Sequence, residues 1–157
     1  MPILPLAELR SALAPRQRLL GLDLGTKTIG VAISDSDFKV ATPVETIRRT
    51  KFAADAARLA QLIAQREIGG LVIGLPVNMD GSEGPRCQSV RQFAANLLKR
   101  IELPIAFWDE RLSTAAVTRA MLALDVSRAS RARAVDKMAA AYILQGALDS
   151  FGGRPPA

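Results

Sequence analysis

Hydrophobic residues recur along this chain in two rhythms, and each rhythm predicts its own kind of element. Two blocks rich in Leu, Ile and Val flank the turn signal "GTKT", which predicts a hairpin with strands over 19–24 and 28–34. A third strand is predicted over 40–47. Phe52, Ala56, Leu59, Ala60 and Ile63 then repeat at helical spacing, and Gly69-Gly70 reads as the end of that helix. "GLVIGLP" is continuously apolar and bounded by glycine and proline, the pattern of a parallel strand buried on both faces. After the loop "VNMDGSEGP", Pro85 suits the first turn of a helix whose apolar stripe is Val90, Phe93, Ala94, Leu97 and Ile101. "LPIAFWDE" repeats the buried-strand pattern and ends in two acids. A helix over 113–124, a polar basic stretch "SRASRAR" read as a loop, and a last helix over 134–150 complete the series.

Three strands, helix, strand, helix, strand and two helices make an α/β domain. Its five-stranded mixed sheet is expected to hold three antiparallel strands followed by two parallel crossovers, with helices on both faces. Such sheets bind ligands beyond the carboxyl ends of their parallel strands. Asp23, the loop after Leu75 and the Asp109-Glu110 pair all fall at such ends. The predicted organisation is an extension over 1–17 with a short amphipathic helix around 6–13, one domain over 18–151, and a tail over 152–157.

Composition narrows the chemistry. There is no histidine and Cys87 is the only cysteine, so thiolate zinc sites, dithiol redox chemistry and histidine-based triads are excluded. Acid-base and electrophilic work must come from carboxylates, Lys, Tyr or a cation liganded by oxygen, such as Mg²⁺ or Mn²⁺. At 157 residues the chain is large enough for one core without disulfides. No apolar run approaches the length of a membrane span, and the early prolines and charges interrupt the apolar core an export signal would need; a cytoplasmic protein is expected. A net charge of +6 favours a polyanionic partner.

Asp23 interrupts an otherwise apolar strand, where a carboxylate is costly unless paired. Asp136 lies in "AVDKMAAAYIL", on the same helix face as Ala140 and Ile143, which directs it toward packed structure. With Glu110, which closes a buried strand as Asp23 does, these make a constellation of three candidate acids. Converging carboxylates resist ionisation unless divalent cations lie between them, and a two-metal carboxylate site meets that need without histidine or cysteine. Each acid also has an ordinary reading: Asp23 as a turn cap or arginine partner, Asp136 as a favourable charge in the first turn of its helix. Asp80 in "NMDG" reads as a turn residue. Asp109 and Glu110 alternate across the strand, and pattern alone leaves open which one faces the site.

"GLDLGTKTIGVAISD", "VIGLPVNMDGSEGP", "WDERLSTAAV" and "VDKMAAAYILQGALD", in this order and spacing, resemble the YqgF/RuvX family of RNase H-like nucleases over nearly the whole of 18–151. The resemblance implies an RNase H-like fold and an acidic triad of Asp23, Glu110 and Asp136 that is both catalytic and metal-binding. It further implies metal-assisted in-line hydrolysis of a phosphodiester, leaving 5′-phosphate and 3′-hydroxyl ends, on the 5′ end of precursor 16S ribosomal RNA or on four-way DNA junctions. The tail before the first strand is a departure from the family.

Around these acids, Lys27 in the hairpin turn could reach a phosphate oxygen, and Arg111 could hold an acid or contact substrate. Arg128, Arg131 and Arg133, just before Asp136, could bind a nucleic-acid backbone; their ordinary reading is a solvated, solubilising segment. No aromatics are interleaved with them, so recognition by shape and charge is expected rather than base stacking. The expected partner is structured RNA or branched DNA, bound by a monomer or a homodimer. Two other classes compete: a nucleic-acid-binding module without turnover, acting in transcription, and a sugar kinase or actin-like ATPase, whose phosphate hairpin "DLGTKTIGVAISD" also resembles. Three carboxylates facing a phosphate backbone argue against the first, and room for only one domain against the second.

Overall fold

The computed structural model describes residues 3–112 and 128–151, with residues 128–136 described by backbone alone. Its elements are α1 (Leu6–Ala12), β1 (Arg18–Leu24), β2 (Thr28–Ser34), β3 (Ala41–Arg48), α2 (Phe52–Gln65), β4 (Ile68–Leu75), α3 (Pro85–Leu98), β5 (Ile105–Asp109), a 3₁₀ turn (Glu110–Leu112) and a long helix, α4 (Arg128–Phe151). The helix predicted over 113–124 lies outside the described residues.

The sheet order is β3-β2-β1-β4-β5, antiparallel across β3-β2-β1 and parallel across β1-β4-β5. Alternation along each strand sends successive side chains to opposite faces. Leu20, Leu22 and Leu24 of β1, with Leu71, Ile73 and Leu75 of β4, pack with Leu59 and Leu62 of α2 and Val90, Phe93 and Leu97 of α3. Leu19, Val72 and Ala106 face the other way and pack with Ala140, Ile143, Leu144 and Ala147 of α4. The parallel strands are therefore buried on both sides, which is why "GLVIGLP" carries no polar alternation.

Three local expectations are corrected. Gly69 and Gly70 do not end α2; they lie inside β4. α2 stops at Gln65, and Glu67, with a positive φ of 55°, turns the chain into the strand. The glycines are there because of what lies above them: a Cβ on Gly70 would stand 2.9 Å from Leu9 Cδ1 and 3.1 Å from Leu19 Cδ2, and one on Gly69 would collide with the Gln17 side chain. The "SRASRAR" stretch is not a loop, since α4 already begins at Arg128. Arg and Ala are strong helix formers and no glycine or proline interrupts the run, so the helix propagates back through it. Glu110 lies one residue past the last strand, in the 3₁₀ turn.

The N-terminal segment packs into the domain. Leu9 of α1 is fully buried in the α4-side cluster. Ile3 bridges Ile105 at the outer edge of β5, and the Leu4 N–H donates to the Ile105 carbonyl at 2.8 Å. Arg10 donates to the Phe151 carbonyl at 3.1 Å and lies over the Phe38 and Phe151 rings. The start of the edge strand is thus covered by the chain's own N-terminus.

Candidate active site

Asp23 lies near the carboxyl end of β1, two residues after Gly21 and hence on the same face. That face belongs to α4: a Cβ on Gly21 would stand 2.8 Å from Leu144 Cβ and 3.2 Å from the Ala140 carbonyl oxygen. The β1-β4 register pairs Leu22 with Ile73, and one further step along it puts Gly74 beside Asp23. On its other side Gly74 pairs with Trp108 of β5. Glu110 follows β5, and its side chain folds back across Gly74, where an added Cβ would stand 2.9 Å from Glu110 Cγ and 2.5 Å from Ile143 Cδ1. The missing side chain at Gly74 is the passage through which Glu110 reaches Asp23.

There the two carboxyl groups hydrogen-bond to each other. Burial first, then the charge of Asp23 and the hydrogen bond with it, push the Glu110 carboxyl from an ordinary 4.5 up to about 8, with Arg86 pulling the other way. The protonated form of Glu110 is favoured because a second negative charge placed beside Asp23 in a half-buried site is costly.

Asp109 has a different fate. Arg111 donates to it from the backbone N–H at 2.9 Å, from Nε at 2.9 Å and from Nη2 at 2.6 Å. The Arg111 guanidinium holds the Asp109 carboxyl below its ordinary range. Neighbours in the chain thus part, Asp109 at the end of β5 neutralised by an arginine and Glu110 in the 3₁₀ turn left to the site. Asp80 accepts from the Ser82 N–H at 2.9 Å and from its hydroxyl at 2.6 Å, closing the turn in which Gly81 has a φ of 90°.

Of the other candidates, Lys27 is exposed in the β1-β2 turn, and its carbonyl accepts the Arg49 N–H at 2.8 Å. Asp136, Arg128, Arg131 and Arg133 all belong to α4, with Asp136 one turn ahead of Ala140, but their side chains lie outside the described residues. Among the described residues no three acidic, histidine or cysteine side chains come together.

Two residues at the site escape sequence reasoning. Arg86, in the first turn of α3, donates to the Leu24 carbonyl at 3.2 Å and borders the same cleft as Glu110. Arg49, the first residue after β3, donates to the Gly25 carbonyl at 2.6 Å. Both are anchored on the residues that follow Asp23. Neither belongs to a local motif, so only the closed sheet reveals them.

A mixed sheet of this order, with carboxylates from the first strand and from the end of the fifth converging on one face, defines an RNase H-like nuclease. The fold matches Thermus thermophilus RuvC, solved in complex with Holliday junction substrate, at a TM-score of 0.56 over 90% of this chain and 99% of that one, with 12% identity. The chain belongs to the RuvX family, whose model, described as Holliday junction resolvase, matches residues 17–150. A relative from Paramagnetospirillum magneticum, named "Putative pre-16S rRNA nuclease", is 63% identical over 98% of this chain and 99% of its own length. One of the same name from Rhodopseudomonas palustris is 65% identical over 94% and 92%.

Proposed function

We propose that this chain is a divalent-cation-dependent endonuclease that hydrolyses phosphodiester bonds in structured nucleic acid, with the 5′ region of precursor 16S ribosomal RNA as its substrate and the cytoplasm as its place of work. The observation that carries the reading is the contact of Glu110 with Asp23 across Gly74. Two hard oxygen donors brought together in this way fit a small divalent cation, which would satisfy both charges in place of the proton. Asp23 and Glu110 would hold Mg²⁺ or Mn²⁺, with Asp136 of α4 as third ligand. When bound, such a cation would supply neutralisation of phosphate charge and a more acidic water. Glu110 orients its carboxyl by folding over Gly74, while Arg111 keeps Asp109 out of the site. Lys27 and the arginines at 128, 131 and 133 take the role of backbone-phosphate contacts.

The shared name of the relatives favours ribosomal RNA; the family description names the four-way junction as the second candidate. Symmetric junction cleavage needs two sites related by a dyad, whereas trimming one RNA strand needs one. The test is to incubate the protein and its Asp23→Asn and Glu110→Gln variants with labelled precursor rRNA and a four-way junction in Mg²⁺, Mn²⁺ or chelator. Metal-dependent cutting of the rRNA is expected, lowered at least about a hundredfold in either variant. Preferred cutting of the junction would reassign the substrate, and binding without cutting under any cation would leave a nucleic-acid-binding module.

A further inference from the structure

A second cleft, of about 410 Å³, opens beside the acid pair between the β1-β2 turn, the β3-α2 linker and one side of α3. Its rim carries two guanidinium groups, Arg49 and Arg86, and three hydroxyl residues, Thr26, Thr50 and Ser89, over an apolar floor that includes Phe93. No carboxylate lines it, and among the described residues neither arginine is in an ion pair. Each guanidinium uses one N–H on a main-chain carbonyl, Arg49 on Gly25 at 2.6 Å and Arg86 on Leu24 at 3.2 Å, and keeps further donors for a ligand. Arg49 is also seated over the Phe93 ring, 5.5 Å from its centroid.

The linker that supplies Arg49 and Thr50 is itself pinned, the Arg49 N–H on the Lys27 carbonyl at 2.8 Å and the Thr50 N–H on Asp55 Oδ1 at 3.2 Å. Two positioned cations with three hydroxyls and no acid make an anion site, and the planar, many-donor guanidinium suits phosphate in particular. Arg86 also borders the neighbouring cleft that contains Glu110. The two clefts meet at this one side chain, an arrangement that suits a polymer better than a mononucleotide.

From this geometry we infer that the Arg49-Arg86 cleft is a second phosphate subsite, which grips a backbone phosphate of the nucleic acid while another linkage of the same polymer lies at the acid pair. The inference deepens the proposed nuclease function and rests on it for the identity of the polymer. Two phosphates held at fixed separation define the direction and register of a strand without any contact to its bases.

The experiment reads binding, not cutting, so that it stands apart from catalysis. A fluorescein-labelled RNA oligonucleotide is titrated by anisotropy in chelator over a series of salt concentrations, against wild type, Arg49→Gln, Ser89→Glu and the neutral control Ser89→Gln. Melting temperatures verify that each variant is folded. Ser89→Glu is expected to weaken binding roughly tenfold and Ser89→Gln to bind like wild type. Arg49→Gln should lower the slope of log affinity against log salt by about 0.7, one phosphate contact on a single strand. Wild-type affinity and salt slope in folded Arg49→Gln and Ser89→Glu would overturn the subsite. Competition by a fluorescent ATP analogue with the same variant sensitivity would overturn the polymer assignment in favour of a mononucleotide pocket. Normal binding without cutting by wild type would sink the nuclease reading and leave the subsite intact.

Discussion

Glu110 keeps a proton that an exposed glutamate would lose, and this has a consequence for stability. Its carboxyl is pushed up to about 8 in the folded chain by burial and by Asp23, against an ordinary 4.5. Below about 4.5 both folded and unfolded states are protonated and the contribution is fully present. As pH rises the unfolded state releases its proton first, so folding becomes less favourable until the folded group ionises near 8. The metal-free protein is therefore expected to lose stability steadily over that window, and Glu110→Gln to flatten the loss; urea midpoints in chelator across the window measure both. A pH-independent midpoint in wild type would mean that the two acids do not share a proton. At this scale the sequence shows two adjacent acids where a buried strand ends, because residue type and apolar run length are local properties. Which of them meets Asp23 is not local: it depends on α4 covering one face and on Arg111 folding back to claim Asp109.

Among the elements, the contact between β4 and α4 holds the site together. Gly74 accommodates both the Glu110 side chain and Ile143 of α4. Gly74→Ala is expected to cost about 1–3 kcal/mol by overpacking and to displace Glu110. Ile143→Val removes the Cδ1 that the new methyl would meet at 2.5 Å. The double variant should therefore regain much of the melting temperature while cutting stays low, since Glu110 remains displaced. Recovery of activity along with stability would show that Gly74 serves packing alone. Helices and strands were legible from period, length and breakers because those signals act over a few residues. Gly69-Gly70 reads as punctuation, yet these residues are small because α1 and the Gln17 side chain lie against them from far along the fold. The start of α4 was missed because charge was read as loop, although helix propensity does not penalise arginine.

Over the whole molecule, the N-terminal segment is part of the core. Leu9 is fully buried beside Leu19 and Gly70, and Ile3 and Leu4 line the start of β5. Leu9→Ala is expected to lower stability by about 2–5 kcal/mol through lost burial and the cavity left behind, measurable as a reduced urea midpoint. Cutting below the melting range should persist, since the acids and both clefts lie among other elements. Loss of cutting in the folded variant would tie the extension to the active site instead. The predicted helix around 6–13 was legible; that it docks was not, because a short amphipathic stretch carries no record of the surface it will cover.

The one-dimensional pattern by itself determined the mixed α/β architecture, the exclusion of histidine and thiolate chemistry, and the three acids as candidates, because burial, period and residue type are written locally. Only the tertiary structure decided that Glu110 rather than Asp109 turns to Asp23, that Gly74 opens the way between them, and that Arg49 and Arg86 line one cleft. Those outcomes depend on residues brought together from β1, the β3-α2 linker, β4, α3 and the turn after β5, and proximity across such separations exists only once the sheet has closed.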